Sequence, residues 1–270
     1  RSDNIMVHEG KVWLDNVRII NSDTRMIMPK IHLTGRSWDT YSSYIDSVRT
    51  NVVAHNSTIT TRTLAYFADI FQNIDLTATN LNCSVDNVLS RFEGHVTSAD
   101  IEGVGIVADF TSRGLPDFPT TVWDLNIRSV NADAEAVQTL VKGVTQKTLP
   151  QSIEKMLATQ GRMRVGGTLR GSMENFKTDL TLSALSGVAH VHAAMKKRTE
   201  GGYTTNYRVS TSDFALSRLL STPKIGNITL DASLNGALTA EGFDADYKVA
   251  VDSVRLLDYT YGGINGEGTI

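Results

Sequence analysis

Cysteine is nearly absent. Cys83 stands alone among 270 residues. A lone thiol excludes an internal disulfide and a cysteine zinc cluster, and leaves the redox compartment open. Proline is scarce, with 5 residues, and the 21 glycines are scattered, so no flexible linker marks a domain boundary. Basic tracts are missing and the net charge is −3, which argues against electrostatic binding to nucleic acid. No apolar run approaches the ~18 residues of a membrane-spanning helix. Only 7% of the chain is aromatic, without the girdles of a transmembrane barrel. The remaining balance, 41% hydrophobic and 20% charged, is that of an ordinary globular chain. Arg1 in place of Met and a strand-like pattern running into Ile270 lead to the expectation of a piece of a longer protein.

What the chain has in quantity is alternation. From Ile228 to Leu238 the apolar parity is Ile228, Leu230, Ala232, Leu234, Gly236 and Leu238, against Asn227, Thr229, Asp231, Ser233 and Asn235. Phe243, Ala245, Tyr247, Val249 and Val251 then alternate with Asp244, Asp246, Lys248 and Asp252. Side chains on a strand point alternately to its two faces, so each stretch predicts a strand with one apolar and one wet face. Met163, Val165, Gly167 and Leu169 repeat the pattern, as do Leu180 with Leu182, Val191 with Ala193 and Met195, and Trp123 with Leu125 and Ile127. Met26 and Met28, then Ile31 and Leu33, predict a strand bent at Pro29. Turn signals fall at Gly114-Leu115-Pro116, Gly201-Gly202, Gly242 and Gly262-Gly263.

Helical spacing is short and rare. Leu64, Phe67, Ala68 and Phe71 recur at i, i+3, i+4 and i+7. Asp133 is placed to cap a helix carrying Ala136, Val137, Leu140 and Val141 and closed by Gly143. Pro150 opens one with Ile153, Met156 and Leu157 that ends at Gly161, and Asp213 is placed to cap Phe214 to Leu220. Three times a polar strand leads into a short apolar helix and then a related strand: Leu81-Asn82-Cys83-Ser84, Leu169-Arg170-Gly171-Ser172 and Leu234-Asn235-Gly236-Ala237. Degenerate repeats over about 58–127, 128–207 and 208–270 fit one continuous, growing sheet over 1–270 better than a compact barrel. Roughly 15 strands at about 4.8 Å would span on the order of 70 Å.

Chemistry-bearing patterns are thin. Gly103-Val104-Gly105-Ile106-Val107-Ala108 has dinucleotide-loop spacing but lacks a strand before and a helix after it, and reads as a glycine-bent strand. His190 and His192 share a strand face without a third ligand in the pattern, and read as solvent-facing. Asp244, Asp246 and Asp252 lie on the wet parity, where a solvated face is the default reading over paired catalytic carboxylates. No nucleophile elbow or phosphate loop occurs. The chain is therefore expected to be no enzyme and to need no metal or cofactor.

The order of elements resembles the TamB and AsmA-like group of large envelope proteins. The residues that carry the likeness are Ser129-Val130-Asn131-Ala132-Asp133, Gly167-Thr168-Leu169-Arg170-Gly171-Ser172 with Asn175-Phe176-Lys177, Gly226-Asn227-Ile228-Thr229-Leu230 with Leu234-Asn235-Gly236, and Tyr259-Thr260-Tyr261 with Ile264 and Gly266. The likeness covers about residues 58–270, and Cys83 departs from it where the later repeats carry glycine. It implies a mainly β fold, an elongated, curved antiparallel sheet forming a U-shaped groove or taco with a few short helices. It implies transport of phospholipid or other acyl-chain lipid between inner and outer membrane in the periplasm of a Gram-negative bacterium, in support of outer-membrane biogenesis. The full-length protein would be anchored to the inner membrane, with an Omp85-type outer-membrane barrel as a further partner.

An amphipathic sheet has competing uses. It closes into a sandwich core, faces lipid as a barrel, or curls into an open groove; periodicity does not separate sandwich from groove. On the groove reading the lining is Met163, Val165, Leu169, Leu180, Leu182, Ile228, Leu230, Ala232, Leu234, Leu238, Phe243, Tyr247, Val249 and Val251. The alternatives are a scaffold or chaperone for outer-membrane protein assembly and secretion, whose open edge templates strands, and a carbohydrate-binding or adhesive β-sandwich.

Overall fold

A computed structural model describes residues 1–66, 69–240, 242–257 and 259–270. The fold is mainly β and antiparallel, and it parts into two compact units, Arg1–Leu149 and Pro150–Ile270. The first holds β1 (Asn4–His8), β2 (Lys11–Ile20), β3 (Arg25–Thr34), β4 (Arg49–Thr60), β5 (Thr77–Asp86), β6 (Glu93–Ile101), β7 (Val104–Arg113) and β8 (Val122–Ala132). The second holds β9 (Met163–Ser172), β10 (Asn175–Ala184), β11 (Gly187–Lys197), β12 (Tyr203–Ala215), β13 (Ile225–Thr239), β14 (Gly242–Leu256) and β15 (Tyr259–Thr269). Within each unit every strand pairs with its neighbours in sequence, and the sheet is not closed on itself. The expected number of strands is the number found among the described residues.

Local chemistry makes these meanders. Between β1 and β2, Glu9 (φ 42°) and Gly10 (φ 74°) are both left-handed, as are Glu102 (φ 51°) and Gly103 (φ 84°) between β6 and β7. Two successive left-handed residues are what a two-residue hairpin needs to match strand twist, and glycine takes the second place without strain. The dinucleotide-like motif is thus a hairpin turn followed by β7. At Pro29 the β3 ladder continues through a change of parity: Leu14 faces Ile31, while Val17 faces Met28. Asn16, at φ 53°, supplies the compensating twist. Val17, Met28 and Ala54 therefore share one buried cluster with Leu14, Ile31, Val52 and Cys83.

Short helices interrupt the meander: α1 (Tyr44–Ser47), α2 (Thr61–Leu64), α3 (Ala134–Thr145), α4 (Gln151–Ala158) and α5 (Leu216–Leu219). Setting α1 and α4 aside, helices follow every fourth strand, after β4, β8 and β12, where the sequence repeat places them. The Asp133 carboxylate accepts the Ala136 N–H at 2.9 Å, and Ala136, Val137 and Leu140 pack on Val104, Ile106, Val130 and Ala132. Gly143 does not close this helix. The helix runs on to Thr145 and ends at left-handed Gln146, while Gly143 lets the helix approach 75–76 closely, its carbonyl accepting the Asp75 N–H at 2.9 Å. Of the helix expected over 64–71, Leu64 ends α2 and Asp69–Phe71 form a 3-10 turn, while Phe67 and Ala68 lie outside the described residues. Pro150 precedes α4 as expected. Asp213 caps nothing: it is a left-handed bulge residue (φ 51°) in β12, its N–H donating to Thr229 Oγ1 and its carboxylate accepting from Asn227 Nδ2. Helix α5 keeps only four residues because the β12 ladder extends to Ala215. Gly262-Gly263 makes no turn either; both residues lie inside β15, with Gly263 left-handed (φ 68°) and the register to β14 unchanged. No helix among the described residues is long and apolar enough to cross a membrane.

Candidate functional site

Register gathers the apolar parities of the second unit onto one face. Residues directly opposite on antiparallel strands share a face, so rows can be read across all seven strands. The middle row is Gly167, Leu180, Val191, Val209, Ala232, Val249 and Gly266. Beside it run Val165, Leu182, Ala189, Thr211, Leu230, Val251 and Ile264. On its other side run Leu169, Thr178, Ala193, Tyr207, Leu234, Tyr247 and Gly268. Met163 and Ile228 extend this face towards one rim, and the Leu238–Phe243 pair ends it at the other. All fourteen residues expected to line an apolar trough thus share one face.

Burial describes the state of that face. Met163 is buried at 7% exposure, whereas Leu238 and Phe243 are 46% and 41% exposed. The other eleven, including mid-sheet Leu180, Ala232 and Val249, are half-buried. A facing sheet about 10 Å away would strip such central residues of solvent. This unit contains one sheet and two short helices, and the helices sit at a rim: the Leu185 N–H binds the Gln160 carbonyl just after α4, and α5 adjoins the start of β13. Among the described residues nothing in the unit layers over the face, so it is not the core of a sandwich built by these residues.

The opposite face is polar from edge to edge. Asp179 faces His192, with Oδ1 to Nδ1 at 2.6 Å. Arg208 grips Asp231, Nη2 to Oδ2 at 2.8 Å, and Lys248 faces Glu267 at 3.8 Å. His190 meets Thr181 at 3.1 Å. The histidines are solvent-face residues as expected, and Asp244, Asp246 and Asp252 are exposed. Among the described residues no group of His, Cys, Asp or Glu is arranged to hold a metal ion. A depression of about 1150 Å³ lies over this charged ladder, lined by Asp179, His192, Arg208, Asp231 and Lys248 among others. The apolar face offers an open surface by contrast.

The first unit follows the same division. Its apolar face carries the Val17 cluster, where burial raises the Cys83 thiol above its ordinary pKa, and the Val104 cluster, which α3 covers. Its polar side carries Arg49 forked onto Asp86 at 2.7 Å, and Arg128 forked onto Asp109, which also meets His95 at 2.6 Å. The Arg49 guanidinium holds Asp86 at about 2, and the Arg128 guanidinium, then His95, holds Asp109 at about 2.

Sequence reasoning left several members of the apolar face unassigned: Phe176, Ala189, Val209, Tyr207, Val254 and Ile264. Tyr207 and Val209 do alternate with Asn206, Arg208 and Ser210, so parity in β12 was available to find them. Val254 lies beyond a register shift between β13 and β14, which parity cannot follow. No family model, curated protein or solved structure matches the chain.

Proposed function

We propose that the chain is a segment of a TamB- or AsmA-like periplasmic protein whose apolar sheet face carries phospholipid acyl chains between membranes. The observation that supports this reading is the seven-strand apolar face with no layer over it among the described residues of its unit. An exposed methylene costs about 0.8 kcal/mol in water, and contact with Leu, Val, Ile and Tyr side chains removes that cost. Hydrophobic contact is non-directional, so a chain can pass from row to row, such as from Leu182 and Val165 to Leu230 and Val251, without breaking a specific bond. The head group stays in solvent beyond the rim. Direction and energy come from elsewhere in the envelope.

The experiment is a pair of charge insertions, Leu230→Asp and Val249→Asp, read by fluorescence of an acyl-chain probe and by urea unfolding. Lost probe binding with a nearly unchanged unfolding midpoint supports the reading. Global unfolding of both variants contradicts it, since an aspartate buried without a partner costs several kcal/mol.

A further inference from the structure

One rim of the second unit combines exposed apolar side chains with cations that lack partners. It is the end where β13 and β15 begin and β14 stops, with Ile225 facing Leu256 and Leu256 facing Tyr259. Leu257 follows β14, its N–H donating to the Lys224 carbonyl at 2.7 Å. Leu257 and Tyr259 are 64% and 70% exposed, and Leu256 and Leu220 are exposed as well. Leu256 and Tyr259 are the last pair of the apolar face, two residues beyond Val254 and Tyr261. Arg255 and Thr260, directly opposite each other, take the polar face. The stem of Arg255 lies over Gly226, where an added Cβ would meet Arg255 Cβ, Cδ and Cγ at 2.8, 3.0 and 3.1 Å. Gly226 is not left-handed, so what glycine provides here is the space the arginine fills. The side chains of Arg218, Lys224 and Arg255 have no hydrogen-bond or ion-pair partner among the described residues.

Arg218 and Arg255 line one depression of about 880 Å³, which Ser217, Ser221, Thr222 and Thr260 share with Pro223 and Leu257. The one carboxylate among the described residues of this lining, Asp213, accepts from Asn227 Nδ2 at 2.8 Å. Polar and apolar groups are thus mixed at the rim, and the mixture limits what can cover it. A free anion would satisfy the guanidinium groups and leave Leu256, Leu257 and Tyr259 in water. A wholly apolar partner would bury the guanidinium groups without acceptors. A phospholipid surface presents both chemistries at adjacent depths. Its phosphate oxygens match the planar guanidinium fork, and the acyl boundary below them takes up leucine and the amphipathic ring of tyrosine. We infer that this rim docks on a membrane surface containing anionic phospholipid, with Arg218 and Arg255 on head-group phosphates and Leu257 and Tyr259 inserted below them. Lys224 adds attraction to the negative surface. The contact is made by the rim and not by the apolar rows, so it does not depend on the acyl-chain reading.

The test floats the 270-residue chain with phosphatidylcholine vesicles, with and without phosphatidylglycerol. The chain is expected to float with the vesicles, more tightly when phosphatidylglycerol is present. Two double variants separate the two chemistries. Arg218→Gln with Arg255→Gln removes the phosphate forks, and Leu257→Ser with Tyr259→Ser removes the inserted groups. Each is expected to weaken binding at least tenfold with an unchanged circular dichroism spectrum, since all four side chains are exposed. Met173→Ser, at an exposed apolar residue of the opposite rim, and Lys248→Gln, at a cation paired with Glu267, are expected to leave it within twofold. Folded Leu230→Asp keeps vesicle binding even where acyl-probe binding is lost, so the two readings fail separately. The inference is overturned if the chain does not float, if phosphatidylglycerol adds nothing, if either double variant floats as the wild type does, or if Met173→Ser weakens binding equally.

Discussion

Leu230 of β13 stands directly across from Val251 of β14, and both are half-buried although four strands lie on one side of the pair and β15 on the other. In a two-layer β protein, residues so placed would be the driest in the molecule. Their partial exposure turns an amphipathic pattern into a statement about an open surface. Apolar surface in contiguous patches beyond a few hundred Å² marks an interaction site.

Asp133 caps α3, its side chain accepting the Ala136 N–H at 2.9 Å. Asp133→Ala is expected to destabilise the first unit by about 1 kcal/mol, the typical worth of such a cap. Urea unfolding followed by far-ultraviolet circular dichroism measures it. An unchanged midpoint would show that packing of Val137 and Leu140 alone fixes the helix.

Gly143 permits the close approach of α3 to residues 75–76. A Cβ at this position would meet the Asp75 carbonyl oxygen at 2.6 Å as well as the Leu76 side chain. Alanine favours helix, yet the clash is with backbone and cannot be relieved by a rotamer change. Gly143→Ala is therefore expected to cost on the order of 1–3 kcal/mol, as overpacking does. Stabilisation, the result that helix propensity alone gives, would contradict the contact.

Helix caps and single-strand alternation were legible because they are local. Asp133 followed by Ala136, Val137 and Leu140 signals its own helix, and Ile228 to Val251 signals its own two faces. Asp213 misled for a physical reason: aspartate is favoured both at N-caps and at left-handed bulges, and only the pairing of β12 with β13 decides between them. Gly262-Gly263 misled likewise, since a glycine pair favours a turn but is also accepted inside a strand, as in β15. Cross-strand pairs such as Arg128 with Asp109 depend on register between strands. Periodicity within one strand does not carry that information.

Acid should weaken the first unit through two carboxylates. Asp86, beside Arg49, and Asp109, beside Arg128 and His95, are both held at about 2, below the ordinary 3.8. A carboxylate depressed by folding contributes stability that is complete above its unfolded pKa and is lost as pH falls through the folded one. The loss is expected between about pH 4 and pH 2. Arg128→Gln removes the main cause at Asp109, so the urea midpoints of wild type and variant should differ at pH 6 and converge towards pH 2. A constant difference across that range would show that the pair is too well solvated to matter.

Native mass spectrometry of the purified chain weighs the acyl-chain reading against every alternative use of the same face. After incubation with phospholipid, the wild-type chain is predicted to carry adducts of phospholipid mass, and the folded Leu230→Asp and Val249→Asp variants to carry few or none. A bare wild-type mass, or adducts equally abundant on both folded variants, would contradict it.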